Sequence, residues 1–290
     1  MEAEGARSSG CLWVVATPLG NPADLSPRAR EVLAAVDCVL AEDTRRTGLL
    51  LSTCGVKARG FMSLHDHNEE AKLPQLAEEL AAGRNFALVS DAGTPLFSDP
   101  GFRLVQTCRR LGIRVTPVPG PSAPLAALCA SGLPPQPFVF LGFPPRKAGE
   151  IRKFFAPWAV LPATLCFFER KDRLKGTLEL VFELGGEREL CVARELTKTF
   201  EEFINLPLGE YASLPDELLG EITVLLGPPQ AASAGRRLPE EELALLLEEA
   251  AEETGGLKPR QLAREMQRQA PGWSVGELYD FIVRQGKSDA

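Results

Sequence analysis

The sequence predicts an α/β fold in three parts: a parallel-sheet N-terminal domain over residues 1–119, a second α+β domain over 120–228, and a linker with a small helical extension over 229–290. Three observations predict it. Short apolar runs alternate with capped helical segments up to residue 120, the pattern of βα units on a parallel sheet. Beyond Gly120 the runs become longer and richer in β-formers. From residue 227 the stretch "GPPQAASAGRRL" has linker composition, and the residues after it read as three short helices.

Taken in order, "CLWVVA" (11–16) is the first strand and Ser26-Pro27 opens a helix over 26–36, followed by the strand "DCVLA" (37–41). Asn68 opens a helix over 68–82, closed by Gly83. "FALVS" (86–90) is a buried strand, and Asp99-Pro100 is expected to open a helix over 99–111, with Asp as N-cap and Pro at the first helical position. "IRVTPV" (113–118) completes four units. The second domain carries strand-like runs at 138–143, 163–169, 189–196, 201–206 and 221–226, separated by two helical stretches. No internal repeat is visible.

Composition narrows the class. The apolar fraction of 44% suits a globular chain, and no apolar run approaches the roughly 18 residues of a membrane helix. The opening "MEAEGARSSG" lacks the apolar core of a signal peptide, so a cytoplasmic protein is expected. Seven widely spaced cysteines without a CxxC pair read as reduced, buried small hydrophobes. The net charge is −7, yet seven Glu between 239 and 253 equal that whole excess. Residues 146–175 hold eight Lys or Arg against three acids, which on charge alone reads as a solvated face.

The polar residues collect after successive strands: Thr17 to Asn21, Glu42 to Arg45, Ser90 to Pro95, and Pro119 to Ser122. In a parallel sheet those carboxyl ends share one edge, so four loops are expected to converge on one crevice. Neither GxGxxG nor GxxxxGK[ST] occurs, which removes the usual dinucleotide and triphosphate sites. The loops offer carboxylates, hydroxyls and close-approach glycines, with Ser122 at a helix start able to receive one carboxylate. That set suits a ligand with a hydroxylated sugar, an amine, a sulfonium and a carboxylate, all of which S-adenosylmethionine has. Singly, each glycine or cap has an ordinary structural use; the coincidence at one edge gives them weight. "SLHDHNE" (63–69) holds both histidines, and with no third histidine to complete a site no metal is expected.

"ATPLGNPADLS", "AEDTRRT", "SLHDHNE", "SDAGTPLFSDPG", "PGPSA" and "ARELTKT" occur in an order that resembles the ribosomal-RNA-modifying branch of the tetrapyrrole methylase family, closely over residues 11–228. The resemblance implies a two-domain tetrapyrrole methylase-like fold with a mixed second sheet and S-adenosylmethionine in the cleft between the domains. It further implies a homodimer, with 16S ribosomal RNA or the small ribosomal subunit as partner and no membrane or metal. The implied reaction is 2'-O-methylation of a cytidine in the decoding region. By motif, Pro18, Leu19, Gly20, Asp91, Ala92, Gly93, Thr94, Ser122 and Ala123 would contact the cofactor, with Phe168 and Leu196 closing the adenosine side. Arg45, His65 and Asn68 would face RNA, and Lys258, Arg260, Arg264 and Arg268 give the tail a cationic face suited to phosphate.

A ribose hydroxyl must lose its proton as it attacks, and Glu42, Asp43, Glu195 and Lys198 are the candidates for that base; the sequence does not choose among them. Two other readings stay open here: methylation of a tetrapyrrole or corrinoid precursor, and a non-catalytic RNA-binding assembly factor.

Overall fold

The computed structural model describes residues 9–229, 238, 240, 242–244, 246, 247, 250, 257–267, 270, 273 and 275–288. The first sheet comprises β1 (Cys11–Val15), β2 (Cys38–Ala41), β3 (Phe61–Ser63), β4 (Phe86–Leu88) and β5 (Arg114–Val118). Its order is β3-β2-β4-β1-β5, parallel throughout. Helices α1 (Pro27–Ala35), α2 (Thr44–Thr53), α3 (Glu69–Ala81) and α4 (Phe102–Arg110) cross between the strands. Val15, Val39, Ala87 and Val118 pack against Leu33 and Leu51 on one face, whereas Leu12, Leu40, Phe86 and Leu88 pack against Leu76, Leu80 and Leu104 on the other. Burial on both faces is why β1, β2 and β4 read as unbroken apolar runs. The short β3, with exposed Phe61, gives no such run and lies outside the four expected strands.

One helix start differs from expectation. Asp99 is not the N-cap of α4; the cap position is Gly101, at φ 113°, and the helix begins at Phe102. The capping carboxylate comes from α3 instead: buried Glu69 accepts from Leu104 N–H at 3.0 Å. Pro100 is therefore part of the approach to the helix. Replacing Glu69 by alanine leaves that N–H unpaired and is expected to cost about 1–3 kcal/mol, read from urea unfolding midpoints.

The second sheet is mixed, in the order β6 (Phe138–Phe140), β7 (Thr164–Glu169), β10 (Ile222–Pro229), β8 (Arg188–Arg194), β9 (Glu202–Pro207). Only β6 and β7 pair in parallel. Period-2 alternation sorts its side chains. Leu165, Phe167, Leu190, Val192 and Val224 face α6 (Ala148–Phe155) and α7 (Leu174–Gly185). Cys166, Cys191, Ala193 and Leu225 face α5 (Ala123–Ala130), where the small residues let that helix approach. All seven cysteines are free and six are buried, Cys129 being exposed.

Towards the C-terminus, α8 (Pro259–Met266) and α9 (Val275–Ser288) share a core of their own in which Leu262, Met266, Trp273 and Phe281 meet Leu243. Lys258, Arg260 and Arg264 lie exposed along α8; Arg268, part of the same expected cationic face, falls outside the described residues. Among the described residues no helix is long and apolar enough to cross a membrane.

Candidate cofactor and substrate site

A cavity of about 470 Å³ opens at the carboxyl edge of the first sheet and is closed by the second. Its walls are Leu19, Asp91 to Thr94, Phe97 to Asp99, Ser122 to Pro124, Phe143, Phe168 to Asp172, and Gly220 to Thr223. Hydrogen bonds knit the loops that form it. Thr17 N–H donates to Gly93 O at 2.8 Å and Gly93 N–H returns to Thr17 O at 3.0 Å, while Thr17 Oγ1 donates to Ser90 O at 3.1 Å. Thr94 Oγ1 donates to Pro121 O at 2.9 Å, joining the loop after β4 to the start of α5. Gly93 takes φ 83°, and a Cβ there would lie 3.0 Å from Leu19 Cδ2, so backbone freedom and close approach both require glycine. Ser122 occupies the N-cap position of α5 without a capping side-chain bond, leaving the first-turn N–H groups of α5 without that partner.

Asp91 divides its carboxylate between two environments. Oδ2 accepts from Arg46 at 2.9 Å, but Oδ1 is buried with no partner. A buried acceptor left unmet is rare in a native fold and marks a place for a donor that is not part of the chain. Asp99, on the same loop, is pushed up to about 7 by burial first and then by the charges of Glu42, Asp91 and Asp66. An aromatic chain borders the cavity: Phe97 meets Phe140 edge-on at 6.1 Å, Phe140 meets Phe168 at 5.0 Å, and Phe168 meets Phe143 at 5.2 Å. Phe97 and Phe143 each remain 55% exposed.

Of the residues singled out from the sequence, Leu19, Asp91, Ala92, Gly93, Thr94, Ser122, Ala123 and Phe168 line this cavity. Pro18, Gly20 and Leu196 stand behind it: Leu196 packs in one cluster with Leu19, and the Lys198 stem crosses Gly20 so closely that a Cβ there would meet Lys198 Cγ at 2.2 Å. Asp43 caps α2, accepting from Arg45 N–H at 2.9 Å, and the Arg45 side chain holds its carboxyl down at about 2. Glu195 accepts from Lys198 Nζ at 2.9 Å, and that bond lowers its carboxyl below the usual range. Neither pair lines the cavity. Glu42 is exposed at the end of β2. Arg45 is solvent-exposed beside Asp43, while Asn68 and His65 bond each other at the turn into α3, Asn68 Oδ1 accepting from His65 N–H at 2.9 Å. Lys258, Arg260 and Arg264 lie on α8, outside the cavity wall. Among the described residues no group of three His, Cys, Asp or Glu side chains could hold a metal.

Sequence reasoning missed Phe97, Asp99, Phe143 and the turn Arg170-Lys171-Asp172. The last was visible as part of the basic stretch 146–175 and comes directly after a strand-like run, and in the fold it stands on the cavity wall.

The tetrapyrrole (corrin/porphyrin) methylase family model matches residues 11–212. Among curated relatives, the ribosomal RNA small subunit methyltransferase I of Escherichia coli O157:H7 is 52% identical over 70% of this chain and 71% of its own. The protein of the same name from Pseudomonas aeruginosa is 43% identical over 97% of this chain and 100% of its own. Solved structures of like fold include the methyltransferase CobJ, at TM-score 0.58 and 20% identity over 79% of this chain and 97% of that one. Another is the Thermus thermophilus uroporphyrin-III C-methyl transferase complexed with S-adenyl homocysteine, at TM-score 0.54 and 21% identity over 75% and 97%. A parallel sheet whose loops meet a mixed sheet across one cavity, a family model spanning β1 to β9, and relatives matched end to end together place this chain in the tetrapyrrole (corrin/porphyrin) methylase family.

Proposed function

We propose that this chain methylates a ribose 2'-oxygen of a cytidine in the decoding region of small-subunit ribosomal RNA, with S-adenosylmethionine as donor. The observation that carries the reading is the end-to-end match, at 43% identity, to a protein named for small-subunit ribosomal RNA methylation. The cavity supports it. Asp91 Oδ1 is an unmet acceptor for a hydroxyl or amine, the start of α5 suits a carboxylate, and Leu19 with Phe168 offers apolar cover for an adenosine. S-adenosylmethionine supplies a methyl group on a sulfonium that leaves as a neutral thioether. The chain's own task is then to orient the hydroxyl, exclude water and take up a proton.

For the RNA, Arg170 and Lys171 stand at the cavity, Arg45, His65 and Asn68 lie along the same sheet edge, and Lys258, Arg260 and Arg264 add a second cationic face outside the cavity wall. Phe97 and Phe143 offer exposed ring faces on which an unstacked base can lie. Phe97→Ala is expected to raise KM for the small subunit about tenfold, in line with roughly 1–3 kcal/mol per stacked base. Its Kd for S-adenosylhomocysteine should stay within about threefold; a change in that Kd with no change in KM would assign Phe97 to the cofactor.

The direct test incubates the protein with radiolabelled S-adenosylmethionine and small subunits lacking the modification, then maps the label. Label on a cytidine 2'-oxygen is the expected result. Cofactor binding without RNA label would favour a small-molecule acceptor, and no cofactor binding would leave an RNA-binding role. From the same resemblance we infer a cytoplasmic homodimer; light scattering should give twice the chain mass of 31.4 kDa.

A further inference from the structure

We propose that Asp99 is the group that accepts the proton of the attacking 2'-hydroxyl. The inference rests on the methyl-transfer reading above. Its first support is what Asp99 does not do. The helix it was expected to cap takes its capping carboxylate from Glu69 instead, and Asp99 makes no hydrogen bond or ion pair with any described residue. It is a half-buried carboxylate on the wall of the cavity with no structural employment.

Its second support is the backbone that carries it. Leu96 and Ser98 both take left-handed conformations, at φ 76° and 66°, on either side of Phe97, and Gly101 comes next at φ 113°. A leucine there is strained, and such strain persists where the surrounding fold imposes it, often at functional sites. Ser98 also approaches the loop after β6 closely, its Oγ standing 3.0 Å from where a Cβ on Gly142 would lie. The strained loop holds Phe97 and Asp99 on the same cavity wall, a ring for the base and a carboxylate for the ribose.

The third support is electrostatic. Glu42 after β2, Asp66 after β3 and Asp91 after β4 all raise Asp99, on top of its burial, while Arg46, the cation closest to Asp91, is engaged by it. From the second sheet, Arg170 is paired with Asp172, and Lys171 lines the cavity. A carboxylate poised near neutrality is a far better base than one at its usual value. In the step, the hydroxyl proton passes to Asp99. The oxygen's electron pair forms the C–O bond, the methyl–sulfur pair returns to sulfur, and Asp99 later releases its proton to solvent.

The test uses full-length protein and unmodified subunits in single-turnover methylation. The wild-type rate should climb about tenfold per pH unit below a break near 7 and level above it. Asp99→Asn should lose about 100-fold or more of that rate, together with the break. Its Kd for S-adenosylhomocysteine, which has no sulfonium charge, should stay within about threefold. A second readout does not involve activity. Because the folded value lies above the unfolded one, ionising Asp99 destabilises the wild type as pH rises from about 4 to 7. The amide variant should therefore melt higher than wild type at pH 8, with the gain fading towards pH 5. Asp99→Asn with the wild-type rate and pH profile overturns the inference alone. Should that variant fail to fold, a wild-type profile with no break between pH 5.5 and 8.5 overturns it equally. Wild-type protein that labels no 2'-oxygen overturns the methyl-transfer reading, and this inference with it.

Discussion

Replacing Arg188 by methionine is expected to destabilise the protein by about 3–5 kcal/mol, lowering its thermal midpoint by roughly 10 °C. Arg188 is wholly buried at the start of β8, and among the described residues no carboxylate pairs with its guanidinium. Its Nη1 and Nη2 donors go to four backbone carbonyls instead: Gly227 O at 2.8 Å, Ala159 O at 2.5 Å, Trp158 O at 3.2 Å and Ala163 O at 3.4 Å, while Nε is buried without a partner. One side chain thus staples the turn after α6 and the entry to β7 onto the irregular end of β10, where the register shifts between Leu226 and Pro229. Burial holds the guanidinium down at about 10, still cationic at neutral pH. Methionine fills similar volume but removes all four bonds: Trp158 O keeps Leu161 N–H as a donor at 3.1 Å, whereas Ala159 O, Ala163 O and Gly227 O each lose a donor and bear a desolvation cost. Lysine brings three donors on a compact head and should recover about half the loss. The pairing of Arg188 with Pro229, six residues along β8 from Arg194, puts this staple about 20 Å from the cavity end of the sheet. S-adenosylhomocysteine affinity measured well below the melting range should therefore stay unchanged. Unfolding in urea reads the stability, and a loss below about 1 kcal/mol would mean that water satisfies those carbonyls.

How much of the fold is legible in the sequence depends on which interactions are local. Strands β1, β2 and β4 were legible because both faces of the sheet are buried at its centre, so Leu12 to Val15 and Val39 to Ala41 had to be apolar in unbroken runs. The edge strand β3 has only Phe61-Met62-Ser63, too short and too exposed to leave such a trace. The buried cysteines were legible as small hydrophobes, but not that Cys166 and Cys191 share the α5 face of the second sheet, since that depends on strand register. Asp99-Pro100 shows the limit most clearly. The dipeptide is a good local cap signal, and it was overridden by Glu69, thirty residues earlier, whose carboxylate arrives only through the packing of α3 on α4. The loops at the carboxyl edge were legible as one crevice because parallel strands share an edge. Phe97, Phe143 and the Arg170 turn were not, because their presence in the cavity wall comes from how the two sheets meet.

The largest expected effect on ligand binding lies at Asp91. Asp91→Ala should weaken S-adenosylhomocysteine binding by about 10–100-fold, the equivalent of roughly 1.5–3 kcal/mol for a hydrogen bond to a charged group. Stability without ligand should barely change. The alanine loses only an ion pair whose Arg46 side is 74% exposed, and exposed pairs contribute about 0–1 kcal/mol. It also removes the buried, unmet Oδ1, whose desolvation cost in the free protein offsets part of that loss. The two readouts thus separate: a thermal midpoint near wild type without ligand, and a much smaller upward shift when ligand is added. Asp91→Asn distinguishes a hydrogen-bond role from a charge role. With Arg46 in place, the amide must turn its oxygen to the guanidinium and its Nδ2 inward, presenting a donor where the ligand needs an acceptor, so its affinity should fall about as far as that of the alanine. Removing the guanidinium as well, in Arg46→Ala with Asp91→Asn, frees the amide to turn its oxygen inward, and part of the affinity should return. Recovery in the double variant makes the inward oxygen the recognising atom. Without recovery, the full carboxylate charge is what the ligand reads, and the hydrogen-bond assignment of Oδ1 falls.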